Sequence, residues 1–326
     1  MTSTRVSSPL LLRTAVVFAG AALLTGCAAG VPAASARSTP PDSPAAVAAS
    51  EATGGSTVGR GDTATEQANL AVVTRLFSVA FDDPDSAEAQ AAAATSIAKD
   101  AVAHGTGSAA GPAGLLAQFA ADHQRVTGAQ MVTKHTAADG DLVAIHYQIT
   151  ADPSDERTGE AAADVFRLSR GKIVERWTFD QPVPRGKAAS GNTNTMFSDL
   201  YTPAKPSPAP TEAQEEKNRV FAVNAYDTLF RDRDVSILDR AFDPAYLQHN
   251  PVAPNGTAAL KGFFSGGASF PAMESTVSLA DGDLVWTLSQ AEGAKADDPY
   301  SALDIFRVDG GLIREHWDVV PATPAS

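Results

Sequence analysis

Apolar residues recur along this chain with two different periods, and the change from one to the other happens twice. Val220, Val223, Tyr226, Leu229 and Phe230 share one stripe of a helix, as do Leu70, Val73, Phe77 and Ala80 earlier in the chain. Both spacings predict amphipathic first helices. After the second of them the pattern predicts a short helix over 235–242, a loop over 246–255 and a helix-like stretch over 258–264. Short runs rich in Val, Ile, Leu, Phe and Trp follow at 276–280, 284–290, 302–308 and 312–320, with turn signals at Asp281-Gly282 and Asp309-Gly310. Helices first and an antiparallel meander after them make the fold class α+β.

The two stretches are copies of one another. Residues 138–143 and 280–285 both read ADGDLV, and residues 163–177 (ADVFRLSRGKIVERW) match 303–317 (LDIFRVDGGLIREHW) at seven of fifteen positions. The offset falls from 149 at Asn69 and Asn218 to 142 at ADGDLV and 140 at the last hairpin, so the second copy has lost loop residues between elements. The copies span 66–182 and 212–320. The segment between them, 183–211, carries Pro203, Pro206, Pro208 and Pro210 and reads as a semi-rigid linker.

The first 65 residues carry neither pattern. Arg5 and Arg13, a short apolar run over 15–24 and then Leu24-Thr25-Gly26-Cys27 resemble a bacterial lipoprotein signal, which predicts cleavage after residue 26 and a diacylglycerol on Cys27, the only cysteine. Residues 28–65 contain no Leu, Ile, Met, Phe, Trp or Tyr and read as a disordered tether over 27–65, with a span on the order of 35 Å. The expected product is an extracytoplasmic protein held to a cell membrane by lipid. With 25 Lys and Arg against 38 Asp and Glu the formal charge is −13, and loss of two Arg with the signal takes it to −15. Nucleic acid is therefore not an expected partner, and a single Cys excludes a disulfide framework.

Four motifs in copy two carry a family resemblance: Tyr246-Leu247-Gln248-His249-Asn250-Pro251, Gly282-Asp283-Leu284-Val285, Asp304-Ile305-Phe306-Arg307 and Glu315-His316-Trp317-Asp318-Val319. Copy one repeats the later ones at 140–146, 164–167 and 171–177, and residues 191–197 resemble the family's tail. The order resembles the SnoaL-like polyketide cyclases of the nuclear transport factor two-like superfamily. The resemblance implies two tandem cone-shaped domains, each with N-terminal helices on a curved antiparallel sheet, pairing through their sheets as an internal pseudo-dimer in a monomeric chain.

It also implies chemistry without cofactor or metal: a base takes a proton beside a carbonyl and donors hold the resulting oxyanion. In copy two the matching base is Asp304, which strand alternation puts on one face with Phe306 and Val308. His316 and Asp318 share a face of the next strand, His249, Asn250 and Tyr246 belong to the loop expected to cap the cavity, and Trp286 is a candidate lining residue. Copy one offers His104, His146 and Asp164, but has Arg176 and Thr178 where copy two has His316 and Asp318, and copy two has Leu288 where copy one has His146. Two functions remain open: a module binding an apolar small molecule or a protein partner, and an acid/base enzyme (cyclase, isomerase or hydrolase) using Asp304 with His249 and His316.

Overall fold

The computed structural model describes residues 63–321 except 106–107, 187, 189, 206–207, 267–270 and 296. Cys27, the export signal and most of the expected tether lie outside the described residues. Copy one runs α1 (Ala64–Ala80), α2 (Ala87–Ser96), β1 (Ile97–His104), α3 (Gly111–Arg125), β2 (Gln130–Asp139), β3 (Leu142–Thr150), β4 (Glu160–Ser169) and β5 (Lys172–Pro182). Copy two repeats the order with α4 (Glu212–Phe230), a 3-10 turn leading into α5 (Leu238–Ala241), β6 (Phe242–Gln248), α6 (Thr257–Ser265), β7 (Met273–Asp281), β8 (Leu284–Ala291), β9 (Tyr300–Asp309) and β10 (Leu312–Val319). The sheets have the orders β1-β5-β4-β3-β2 and β6-β10-β9-β8-β7.

Local chemistry explains the element ends. Thr63 and Glu66 form a reciprocal capping box at the start of α1. The β2–β3 and β7–β8 hairpins close through two-residue loops whose first residues, Gly140 and Gly282, have φ of +57° and +63°. One element departs from the sequence reading. The chain over 235–242 is helical only to Ala241, and Phe242–Gln248 forms a strand parallel to β10, as β1 does to β5. Its sequence, FDPAYLQ, contains Pro244 and no clear alternation, and its ladder to β10 shifts register between Ile313 and Glu315. Pairing to a distant strand makes it a strand.

Alternation then gives each sheet two faces. The concave faces carry Ile145, Phe166 and Ile173 in copy one and Val285, Phe306 and Ile313 in copy two, packed under the helices against Phe77 and Phe119 or Tyr226 and Leu260. The opposite, rear faces pack on one another around Trp177, Phe179, Trp286, Leu303 and Trp317. The identical ADGDLV turns make the contact reciprocal: Ala138 N–H donates to Asp281 Oδ2 at 2.9 Å, and Ala280 N–H donates to Asp139 Oδ2 at 3.0 Å. Each turn is also held by its own first helix, Gly140 N–H to Glu66 and Gly282 N–H to Glu215. The interface is thus isologous in the sense of a twofold dimer, inside one chain. Among the described residues no helix is long and apolar enough to cross a membrane.

Candidate functional site

The polar groups of the concave face of copy two converge under its helices. Asp304 and Asp318 are opposite partners on β9 and β10, and His316 lies two residues from Asp318 on the same face. All three are buried, and one ligand atom from each lies within 4.8 Å of the others. His316 Nε2 is 2.9 Å from Asp304 Oδ1, and its Nδ1 is 2.8 Å from Gln248 Oε1. The Gln248 amide is oriented by Asn250 N–H, which donates to the same Oε1 at 2.9 Å. Both ring nitrogens therefore face oxygen acceptors.

Around this group the face is apolar and aromatic. Phe306 stacks on His316 at 4.7 Å, Tyr246 lies 6.4 Å from it, and Tyr226 and Leu260 complete the same cluster. Asn250 Nδ2 donates to Asp318 Oδ2. Asp304 Oδ2 and Asp318 Oδ1 are buried without a partner among the described residues. An unpartnered buried carboxylate oxygen costs about 1–3 kcal/mol, so stability alone does not account for these two. Burial pushes the Asp318 carboxyl up from 3.8 to about 6, opposed by His316 and reinforced by the Asp304 charge. Two carboxylates and an imidazole also form a donor set for a divalent cation, but His316 Nε2 and Asp304 Oδ1 already face each other within hydrogen-bond distance.

On the equivalent face of copy one the carboxylate is paired. Asp164 accepts from Tyr147 Oη and Thr178 Oγ1, each at 2.7 Å, and Arg176 donates to Gln118 beside it. Burial raises the Asp164 pKa and the nearby Arg176 charge draws it back. Both oxygens are thus committed to hydroxyls of the same domain.

Four candidates sit on the rear faces instead. His249 does not join Asp304 and His316: its ring is 2.9 Å from Glu315 Oε1 and stacks on Trp317 at 4.9 Å. Trp286 does not line the cone; it is fully buried between the sheets, since alternation puts it opposite Ile305 while Thr287 faces Asp304. His104 bonds Glu175 and stacks on Trp177, and His146 pairs with His135 at 3.0 Å and stacks on Phe197. Burial holds the His146 pKa well below the usual imidazole range, with His135 next. His104, His146 and Asp164 therefore form no common site. Nor does Arg307 pair with Asp304; it turns to Glu315, Asp283 and Asp199 on the rear face. Gln248 and Tyr226 join the group around His316 without anything in the sequence that singles them out from their neighbours. Recognising β6 as a strand would have placed Gln248 on the same face as Tyr246.

A sequence model of the SnoaL-like domain matches the chain twice, over residues 73–176 and 223–316. The chain belongs to the SnoaL-like family. No curated protein matches it. Solved structures similar to these SnoaL-like domains include a protein described as a polyketide cyclase from Bacillus cereus (17% identity, 35% of this chain and 74% of that one, TM-score 0.30). Others are an NTF2-like protein from Mesorhizobium loti (20%, 37% and 96%, 0.29) and IdmH from Streptomyces antibioticus (23%, 35% and 91%, 0.28).

Proposed function

We propose that the second SnoaL-like domain binds a small apolar molecule in its cone and moves a proton on it, while the first domain serves as its folded partner. The observation that carries this is the pair of buried oxygens on Asp304 and Asp318 that have no partner among the described residues, beside the His316 ring that faces Asp304. A ligand hydroxyl or an acidic C–H beside a carbonyl is the chemistry those oxygens accept. Asp304 takes the proton, His316 and Gln248 fix the orientation of the base, and Asp318, titrating near 6, returns a proton to a developing oxyanion. The reaction class is proton abstraction next to a carbonyl, as in an aldol-type ring closure or an isomerisation.

Deuterium uptake from D2O at the α-carbons of apolar ketones, followed by NMR, tests this. Exchange above background in the parent protein and a loss of about 10²-fold or more in Asp304→Asn supports it. Saturable ketone binding without exchange makes the domain a binding module. We further propose that Cys27 is lipidated and that the preceding residues are removed, on the order Leu24-Thr25-Gly26-Cys27. Cys27→Ala is expected to shift the protein from the membrane to the soluble fraction; continued membrane association with an uncleaved signal overturns the proposal.

A further inference from the structure

The rear face of each domain carries the same constellation, and among the described residues only one of the two is covered by a crossing segment. In copy two, His249 stacks on Trp317 and bonds Glu315 Oε1, Arg307 Nε donates to Glu315 Oε2 at 3.1 Å, and Arg307 also bonds Asp283. In copy one, His104 stacks on Trp177 and bonds Glu175 Oε1, Arg167 Nε donates to Glu175 Oε2 at 3.0 Å, and Arg167 also bonds Asp141. Residue for residue this is one device built twice.

What differs is the chain lying over it. In copy two the segment leaving copy one crosses the device with a bend at Met196 and Phe197, where the Thr195 hydroxyl accepts from the N–H groups of Phe197 and Ser198. Thr195 C=O faces His249 Nδ1, Ser198 C=O accepts from Trp317 Nε1, and Asp199 pairs with Arg307. The N–H groups of Leu200 and Tyr201 donate to the two oxygens of Glu315. Met196 and Phe197 are buried as its apolar anchors. The side chains of His249 and Glu315 have no exposure left.

In copy one the same side chains remain partly open, 16% for His104, 27% for Glu175 and 35% for Arg167. Trp177 Nε1 is buried without an acceptor among the described residues, where Trp317 has Ser198. A cavity of about 320 Å³ stands there, walled by His104, Trp177, Phe179 and Tyr300 with Asp298 at its edge. The corresponding place in copy two is a smaller cavity of about 210 Å³, lined by His249 and by the segment itself from Asn192 to Met196. Its edge carboxylate, Glu156, accepts from the Thr195 hydroxyl.

We infer that the cavity over His104 and Trp177, together with the adjoining Glu175 and Arg167, is a docking site for a peptide segment of a partner protein, with an apolar anchor at a bend and a carboxylate two residues beyond it. The occupied copy supplies the template: a backbone carbonyl for Trp177 Nε1, backbone N–H groups for Glu175, an apolar side chain against Phe179 and Tyr300, and an acid for Arg167. A second copy of this chain already uses its own matching segment internally, so the ligand comes from another protein. The inference is independent of the proton chemistry on the opposite face.

The probe is the blocked decapeptide of residues 192–201, NTNTMFSDLY, titrated into the full chain and read by calorimetry and tryptophan fluorescence. The expected result is saturable one-to-one binding that Trp177→Phe weakens by about fivefold or more, the value of one hydrogen bond, and that Trp317→Phe leaves unchanged. Peptides carrying Phe197→Ala or Asp199→Asn are expected to bind the unaltered protein about tenfold more weakly or worse, which keeps the test valid if a protein variant fails to fold. Absence of saturable binding at millimolar peptide, or binding indifferent to Trp177→Phe and to both peptide changes, overturns the inference. Binding sensitive to Trp317→Phe instead marks exchange with the internal segment and overturns it too. Self-association of the protein that the peptide competes away assigns the site to a second copy and overturns the partner reading.

Discussion

The two concave faces began from one sequence pattern and now spend their buried charge in opposite ways. In the first domain Asp164 is enclosed by Tyr147, Thr178 and the charge of Arg176, and each of its oxygens accepts a hydroxyl. In the second, Asp304 and Asp318 face each other with one oxygen apiece unpartnered among the described residues and a histidine between them and Gln248. The first arrangement stabilises a fold; the second tolerates instability, which is the mark of a site whose groups have another task. The change involves Arg176 against His316 and Thr178 against Asp318, together with Tyr147 against Ser289 and Ala103 against Gln248.

The largest effect expected from this contrast is on stability in the first domain. Arg176→Leu leaves Asp164 without its nearby positive charge in a buried setting, and chemical denaturation should show a loss of about 3–5 kcal/mol. A loss below about 1 kcal/mol would mean that Tyr147 and Thr178 alone neutralise the site. Next comes activity: Asp304→Asn should lower proton exchange by about 10²-fold while Asp164→Asn leaves it within a factor of about two. Equal losses in both variants would erase the distinction between the domains.

Acidity sharpens the same contrast. Asp318 has a folded pKa of about 6 against 3.8, so the folded state holds its proton more tightly than the unfolded chain. The stabilisation is complete below about 4 and is lost as pH rises through about 6. Asp318→Asn, which keeps the acceptor for Asn250, should be more stable than the parent at pH 7 and no more stable at pH 4. Asp122, raised by burial to about 7, contributes with the same sign, so the measurement that counts is the difference between variant and parent across pH. A variant no more stable at pH 7 than at pH 4 would return Asp318 to an ordinary structural role.

The smallest effect concerns the rear faces. Trp317→Phe removes a donor from Ser198 C=O and should cost about 1 kcal/mol, whereas Trp177→Phe removes a buried N–H with no acceptor among the described residues and should be neutral within about 0.5 kcal/mol. Equal costs would show that Trp177 Nε1 has a partner in solution, and would weaken the case for an open site above it.

Much of the architecture was legible in the residues. The repeated ADGDLV turns, the shared final hairpin and the two helical stripes yield the tandem α+β domains, because hairpin turns and amphipathic faces are decided by neighbours in the chain. Alternation likewise placed Asp304, Phe306, His316 and Asp318 on shared faces. It failed where a strand had not been recognised. A helix and a loop over this stretch put His249 beside Asp304 and His316, whereas a strand from Phe242 to Gln248 puts Tyr246 and Gln248 toward the cone and His249 behind it.

Tertiary structure alone decided which face of each sheet meets the other, and so sent Trp286, His104, His146 and His249 into or beside the interface. Alternation separates two faces of a sheet but says nothing of what covers either one. That depends on contacts between residues about 140 positions apart, such as Ala138 with Asp281, which no local pattern encodes. The same holds for the stretch between the copies. Its Pro-rich end reads as a spacer, yet its Thr195–Tyr201 portion covers the device on the second rear face, because only the folded chain brings Glu315, Trp317 and Arg307 beneath it.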